Sequence, residues 1–177
     1  MPHLSAVRAL VAVLVIAAAA TDLHSRRIPN WLTLAGICAG FLVNWTLSGW
    51  AGLRTSLTGM LLGFGVYFVL YLLRAMGAGD VKLMAAVGAV VGPSNWFSVF
   101  IATAIAGGVL AVVLMVWKGR IVETLRNTFF IVGELVHLRA PFARRKDLDV
   151  KNPTALKMPH GVAIAAGTLA CLLLDVF

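Results

Sequence analysis

Of 177 residues, 60% are hydrophobic and only 12% charged, whereas a soluble domain carries about a quarter charged residues. The 15 Lys and Arg outweigh the 7 Asp and Glu, for a net charge of +8. They fall in short gaps between apolar runs, which speaks for orientation in a membrane and against nucleic-acid binding.

The first apolar run covers 4–20 and is interrupted only by Ser5 and Arg8. A basic residue before an apolar stretch also suits a cleaved signal peptide. The spans that follow favour a retained first membrane helix. The polar gap 21–30 holds Asp22, His24, Arg26 and Arg27. Pro29 disfavours helix at Ile28, and Asn30 can cap the next helix. The second run, 31–47, has Trp31 and Trp45 near its ends, as expected of headgroup-level aromatics. After a link with Gly49, Gly52 and Arg54, the third run, 55–73, is uncharged and Arg74 closes it. Met76, Gly77, Ala78, Gly79, Asp80, Val81 and Lys82 follow.

From 83 to 117 there is no charged residue. A straight helix of that length would reach about 52 Å, against a hydrocarbon core of about 30 Å. The run must therefore turn back, and Gly92, Pro93, Ser94 and Asn95 are the natural place. That leaves a short fourth span, 81–92 with room to run on to Trp96, and a fifth over 97–117. The shortness puts Asp80 at or just inside the interface, at a helix N-terminus.

The stretch 118–157 contains nine basic residues. Ile121, Val122, Leu125, Phe129, Val132 and Val136 recur at helical spacing, which predicts a helix lying on the membrane and ended by Pro141. The last run, 161–177, forms a sixth span with Asp175 at its far end. Cys38 and Cys171 lie in apolar runs without CxxC spacing. They read as small buried hydrophobes rather than zinc ligands or a disulfide.

The expected fold is all-α: a polytopic membrane protein with one embedded domain, 1–177. It has six transmembrane helices and a basic cytoplasmic amphipathic segment, 118–157. Gly36 and Gly40, Gly59 and Gly63, and Gly88 and Gly92 have the GxxxG spacing that lets helices approach closely in lipid.

Acids beside a bilayer are functional candidates. Asp22 and Asp80, 58 positions apart, fall at the same face in the predicted topology. Two carboxyls sharing one proton form an aspartic peptidase pair: one activates water, the other polarises the peptide carbonyl. Gly77 and Gly79 can let a substrate backbone approach. The bland alternative is a flexible turn with Asp80 as a helix cap. Lys82, Arg74, Arg26 and Arg27 read as interfacial anchors, and His24 as incidental. Glu123, Glu134, Asp147, Asp149 and Asp175 do not pair with Asp22 or Asp80.

Asp22 with Arg27, Ile28, Pro29, Asn30, Trp31, Leu32 and Thr33 resembles the first aspartate region of type IV prepilin peptidases. The 76–83 segment resembles their second, the GxGD motif shared with preflagellin peptidases and presenilins. The segment from Lys157 through Pro159, His160 and Gly161 to Gly167 resembles their late segment. All three occur in family order and span most of the chain. The resemblance implies a membrane aspartic endopeptidase of the cell inner membrane. It would remove the basic leader of prepilins or pseudopilins at the cytoplasmic face, typically after a glycine just before the precursor's hydrophobic segment. Asp22 and Asp80 would be the catalytic pair, with Gly77, Gly79 and Lys82 shaping the loop, and no cofactor or metal. The implied partners are the precursor, membrane lipids including anionic ones, and the pilus assembly machinery.

The short length resembles the minimal form of tight-adherence (Flp) pilus systems. Larger members carry an additional cytoplasmic region with paired CxxC cysteines, absent from this chain, so cleavage without N-methylation is expected. The late segment usually has an aromatic residue where His160 stands. Two other classes remain open: a proton-coupled transporter, which interfacial acids and a short interrupted span fit loosely, and a noncatalytic pilus-assembly protein binding partner helices through its glycine faces.

An N-terminus outside leaves 13 of the 15 basic residues inside and only Arg8 and Arg54 outside. A reporter fused at the C-terminus should therefore be active on the non-cytoplasmic side. Cytoplasmic reporter activity reverses the topology.

Overall fold

The computed structural model describes residues 2–73, 75–119 and 160–176, with side chains from residue 5 onward. Among these residues the regular structure is entirely helical: α1 (Pro2–Ser25), α2 (Asn30–Leu72), α3 (Ala78–Trp117) and α4 (His160–Leu173). Three helices, α1 (over Ser5–Ser25), α2 and α3, are long and apolar enough to cross a membrane, and α4 is a shorter apolar helix. The amphipathic helix expected within 118–157 falls outside the described residues. So do Arg74, Glu123, Glu134, Asp147 and Asp149.

α2 has 43 residues and α3 has 40. As straight rods they would reach about 60–65 Å. Each instead doubles back at one glycine held in the left-handed region, Gly49 (φ +55°) and Gly92 (φ +76°), where a Cβ would be strained. Contacts across each turn confirm the reversal. Ser56 Oγ donates to the Gly40 carbonyl at 3.2 Å over 16 positions, and Trp96 Nε1 donates to the Met84 carbonyl at 3.1 Å over 12. In a straight helix those pairs would stand about 18–24 Å apart. The turn at Gly92 was legible, but the returning segment starts at Pro93, a residue suited to a first helical turn. Trp96 therefore belongs to the returning segment and is buried there. The expected link of Gly49, Gly52 and Arg54 shrinks to the bend at Gly49.

Between Asp80 and Gly92 every residue except Lys82 is buried. This outgoing half of α3 is the centre of the bundle, apolar on all sides as such a position requires. The returning half of α2 packs on it through glycines. A Cβ at Gly59 would strike the Gly88 carbonyl, one at Gly88 the Gly59 carbonyl, and one at Gly63 the Met84 carbonyl. The outgoing half of α2 also touches the centre, since a Cβ at Gly40 would lie 2.9 Å from the Ala89 carbonyl. Asn44 closes the far end. Its Nδ2 donates to Ser56 Oγ at 2.9 Å and lies 3.1 Å from the carbonyls of Ala89 and Val90.

Two expectations change. Cys38 faces outward, and only Cys171 is buried. Asn30 is the first residue of α2 and makes no cap bond. Its side chain instead accepts from Lys82. Arg8 donates to Asp175, which brings the start of α1 and the end of α4 to one end of the bundle.

Gly88→Ala should lower stability by about 1–3 kcal/mol, the usual cost of overpacking. Gly65, with nothing within 4 Å of its would-be Cβ, should tolerate the same change. Unfolding midpoints in detergent compare the two, and equal midpoints contradict the glycine contact.

Candidate active site

α1 does not stop where its apolar run ends. Thr21 Oγ1 donates back to the carbonyl of Ala18 at 2.9 Å, and Ser25 Oγ to that of Thr21 at 2.8 Å. The helix thus continues one turn past 20 and ends at Arg26, which takes a positive φ of 51°. That extra turn places Asp22 on a helix rather than in the loop expected from the sequence. It points inward and is only 9% exposed. Its Oδ2 accepts the Gly161 N–H at 2.9 Å. Gly161 is the second residue of α4, so its N–H is one of the donors that the first turn of a helix leaves unpaired. The positive end of the helix dipole also favours a carboxylate there.

Asp80 stands in the first turn of α3 and is 8% exposed. Its Oδ2 accepts the Gly77 N–H at 3.1 Å, while the Asp80 N–H donates to the Gly77 carbonyl at 3.2 Å. This reciprocal pair is a capping arrangement. Gly77 has φ −84°, and Gly79 is not among the positive-φ glycines. Neither glycine is there for unusual dihedral angles. A Cβ at Gly79 would lie 3.4 Å from Ile28 Cβ, an ordinary contact, so the link after α1 lies directly against the start of α3. Lys82 Nζ donates to Asn30 Oδ1 at 2.9 Å, tying the starts of α2 and α3 together.

Both aspartates line one open cavity of about 500 Å³, together with Arg26, Arg27, Pro29, Asn30, Gly77, Gly79 and Lys82. Asp80 lies within electrostatic reach of Asp22 and of His160. The structure thus brings Asp22, Asp80, Gly77, Gly79 and Lys82 to one place. His24 is exposed on the last turn of α1, and Asp175 is at the far end with Arg8. Among the described residues no three His, Cys, Asp or Glu side chains gather as metal ligands.

Sequence reasoning missed Gly161, His160 and Tyr67 as neighbours of the pair. A backbone N–H has no side-chain signature, so Gly161 carried no chemical signal of its own. Arg26 and Arg27, read only as anchors, line the cavity.

The type IV leader peptidase family matches residues 9–112. An Escherichia coli protein, "Type 4 prepilin-like proteins leader peptide-processing enzyme", is 32% identical over 105 residues, which is 55% of this chain and 39% of that protein. A Burkholderia pseudomallei "Prepilin leader peptidase/N-methyltransferase" is 33% identical over 113 residues, 59% of this chain and 36% of that protein. The chain thus spans well under half the length of the curated relatives it matches. No solved structure matches.

Asp22→Cys and Asp80→Cys, each in a chain with Cys38 and Cys171 replaced by Ala, should both react with an impermeant maleimide from the same side of sealed vesicles. Reaction from opposite sides contradicts a shared cavity.

Proposed function

Because the chain belongs to the type IV leader peptidase family, we propose that it is a membrane aspartic endopeptidase that removes the basic leader of a prepilin or pseudopilin precursor. The observation that carries this reading is the meeting of Asp22 and Asp80 in one open cavity. Two carboxyls this far apart in sequence have no structural need of each other, and like charges in a shared site oppose joint ionisation. Such a pair holds one proton between its members.

In the proposed reaction the ionised member takes a proton from a water molecule as that water attacks the scissile carbonyl carbon. The protonated member gives its hydrogen bond, then its proton, to the carbonyl oxygen. The tetrahedral intermediate collapses with cleavage of the C–N bond as the proton taken from water passes to the leaving nitrogen, and one of its hydroxyls returns a proton to the second carboxyl, which restores the pair. Gly161 and Gly77 hold the two carboxyls through backbone N–H groups, which cannot rotate away as side chains can. Gly79 and Lys82 act by position: the first lies against Ile28 beside the pair, the second fixes Asn30 at the cavity wall.

The proposal places the chain in the cell inner membrane, its six helical segments passing through it alternately, the outgoing half of α3 only part of the way, with the aspartates at the cytoplasmic face. The Arg8–Asp175 contact supports it by putting the start of α1 and the end of α4 together at the end of the bundle opposite the cavity. The basic residues of 118–157 would meet anionic lipid, and the pilus assembly machinery would receive the product. The proposal is confined to hydrolysis, so the new N-terminus should leave as an unmethylated amine.

Asp22→Asn and Asp80→Asn should each lower cleavage of a co-expressed matched precursor by about 10³-fold or more, with membrane insertion and the unfolding midpoint unchanged. Gly161→Ala, whose Cβ would press within 2.9 Å of Asp22 Oδ2, should lower cleavage less severely. Leader loss scored on gels tests all three, and normal processing by either Asn variant refutes the assignment.

A further inference from the structure

A second cavity, of about 280 Å³, adjoins the first. Met76 lines this one, and Gly77, next in the chain, lines the other. Where the first is walled by Arg26, Arg27 and Lys82, the second is apolar. Tyr67 and Ile164, both almost wholly buried, lie in its wall. Phe100 meets Tyr67 edge to face at 6.1 Å. Ala104, also in the wall, is exposed and marks the mouth. His160 lines the cavity, while its neighbour Gly161 holds Asp22. The Tyr67 hydroxyl is within electrostatic reach of Asp80. The apolar cavity therefore begins where the aspartate site ends.

We propose that this cavity is the subsite for the apolar side chain that directly follows the cleaved bond of the precursor, an inference that rests on the peptidase reading. Its volume is below the range of about 300–1,000 Å³ typical of small-molecule pockets. It is also too small for a helix about 10–12 Å across. It has room for one large side chain. The perpendicular rings of Tyr67 and Phe100 offer a face and an edge to an aromatic or branched aliphatic group. With the aspartates in the polar cavity and an apolar one beside it, a chain that is polar before the bond and apolar after it binds in one direction only.

The test uses the full chain in membranes and precursors carrying Leu, Ala, Gly or Asp directly after the cleaved bond. On the unaltered enzyme, kcat/KM should fall at least about tenfold from Leu to Gly, and further to Asp. Ala104→Phe, which adds bulk at the mouth from an exposed position, should cost the Leu precursor at least about tenfold while the Ala precursor stays within about twofold. Equal rates across the series on the unaltered enzyme overturn the subsite. So does a uniform slowing of all precursors by Ala104→Phe, the result expected if a lipid or another part of this chain fills the cavity. Failure of the unaltered enzyme to cleave any precursor strikes the peptidase reading itself, and the subsite with it.

Discussion

The Asp22 carboxyl accepts a backbone N–H from Gly161 across 139 positions of chain, and much of the molecule follows from that bond. A buried acid near lipid is costly unless it is paired or hydrogen-bonded. Here the partner is the start of a helix, whose first N–H groups need an acceptor in any case. Each group meets the other's need. The bond docks α4 on α1 at the cavity end, and the Arg8–Asp175 pair closes the same two helices at the other. Asp80 is treated similarly by Gly77, within its own helix start. Both acids are therefore held by main chain, which fixes their position more firmly than long side chains could.

The second constraint is closeness. Apolar side chains gain little from each other in lipid, so tight backbone approach has to supply the packing. Gly40, Gly59 and Gly63 of α2 meet the carbonyls of the central segment of α3 with no room for a methyl group. This segment is short, about 21 Å from Ala78 to Gly92 at helical rise. With its far end turned at Gly92 and its near end carrying Asp80, it cannot span a full hydrocarbon core of about 30 Å. One of its ends must lie below the membrane surface.

The sequence carried the architecture well because hydropathy and glycine are strong signals. A charge-free run too long to stay straight predicted the reversal within 83–117, which falls at Gly92 inside the expected turn, and the link with Gly49, Gly52 and Arg54 between two apolar runs marked the other. The aspartates were legible because acids are rare here, seven in all. What could not be read was geometry made by main chain. The extra turn that puts Asp22 on α1 depends on Thr21 and Ser25 donating to carbonyls behind them, a habit these residues also show in loops. Asn30 looked like a cap from local spacing, yet its partner is Lys82, 52 positions away. The glycine pairs were recognisable as contact faces, but which faces meet is decided by the folding back of two helices at once.

A peptidase embedded in a membrane must reconcile two solvents at one bond. Hydrolysis needs water and a proton-sharing pair, while a precursor's apolar segment prefers lipid. On the proposed reading the two requirements meet within a few residues of each other. Gly77 faces the polar cavity and Met76 the apolar one; Gly161 binds an aspartate and His160 lines the apolar wall. The boundary between the two environments runs beside the aspartate pair, at Met76–Gly77 and His160–Gly161. A chain lying across that boundary would present the amide at its own change of polarity, so the position of the cut would follow from where the precursor turns from polar to apolar. On this view the bundle measures a hydropathy step, and contacts with individual leader residues matter less than that step.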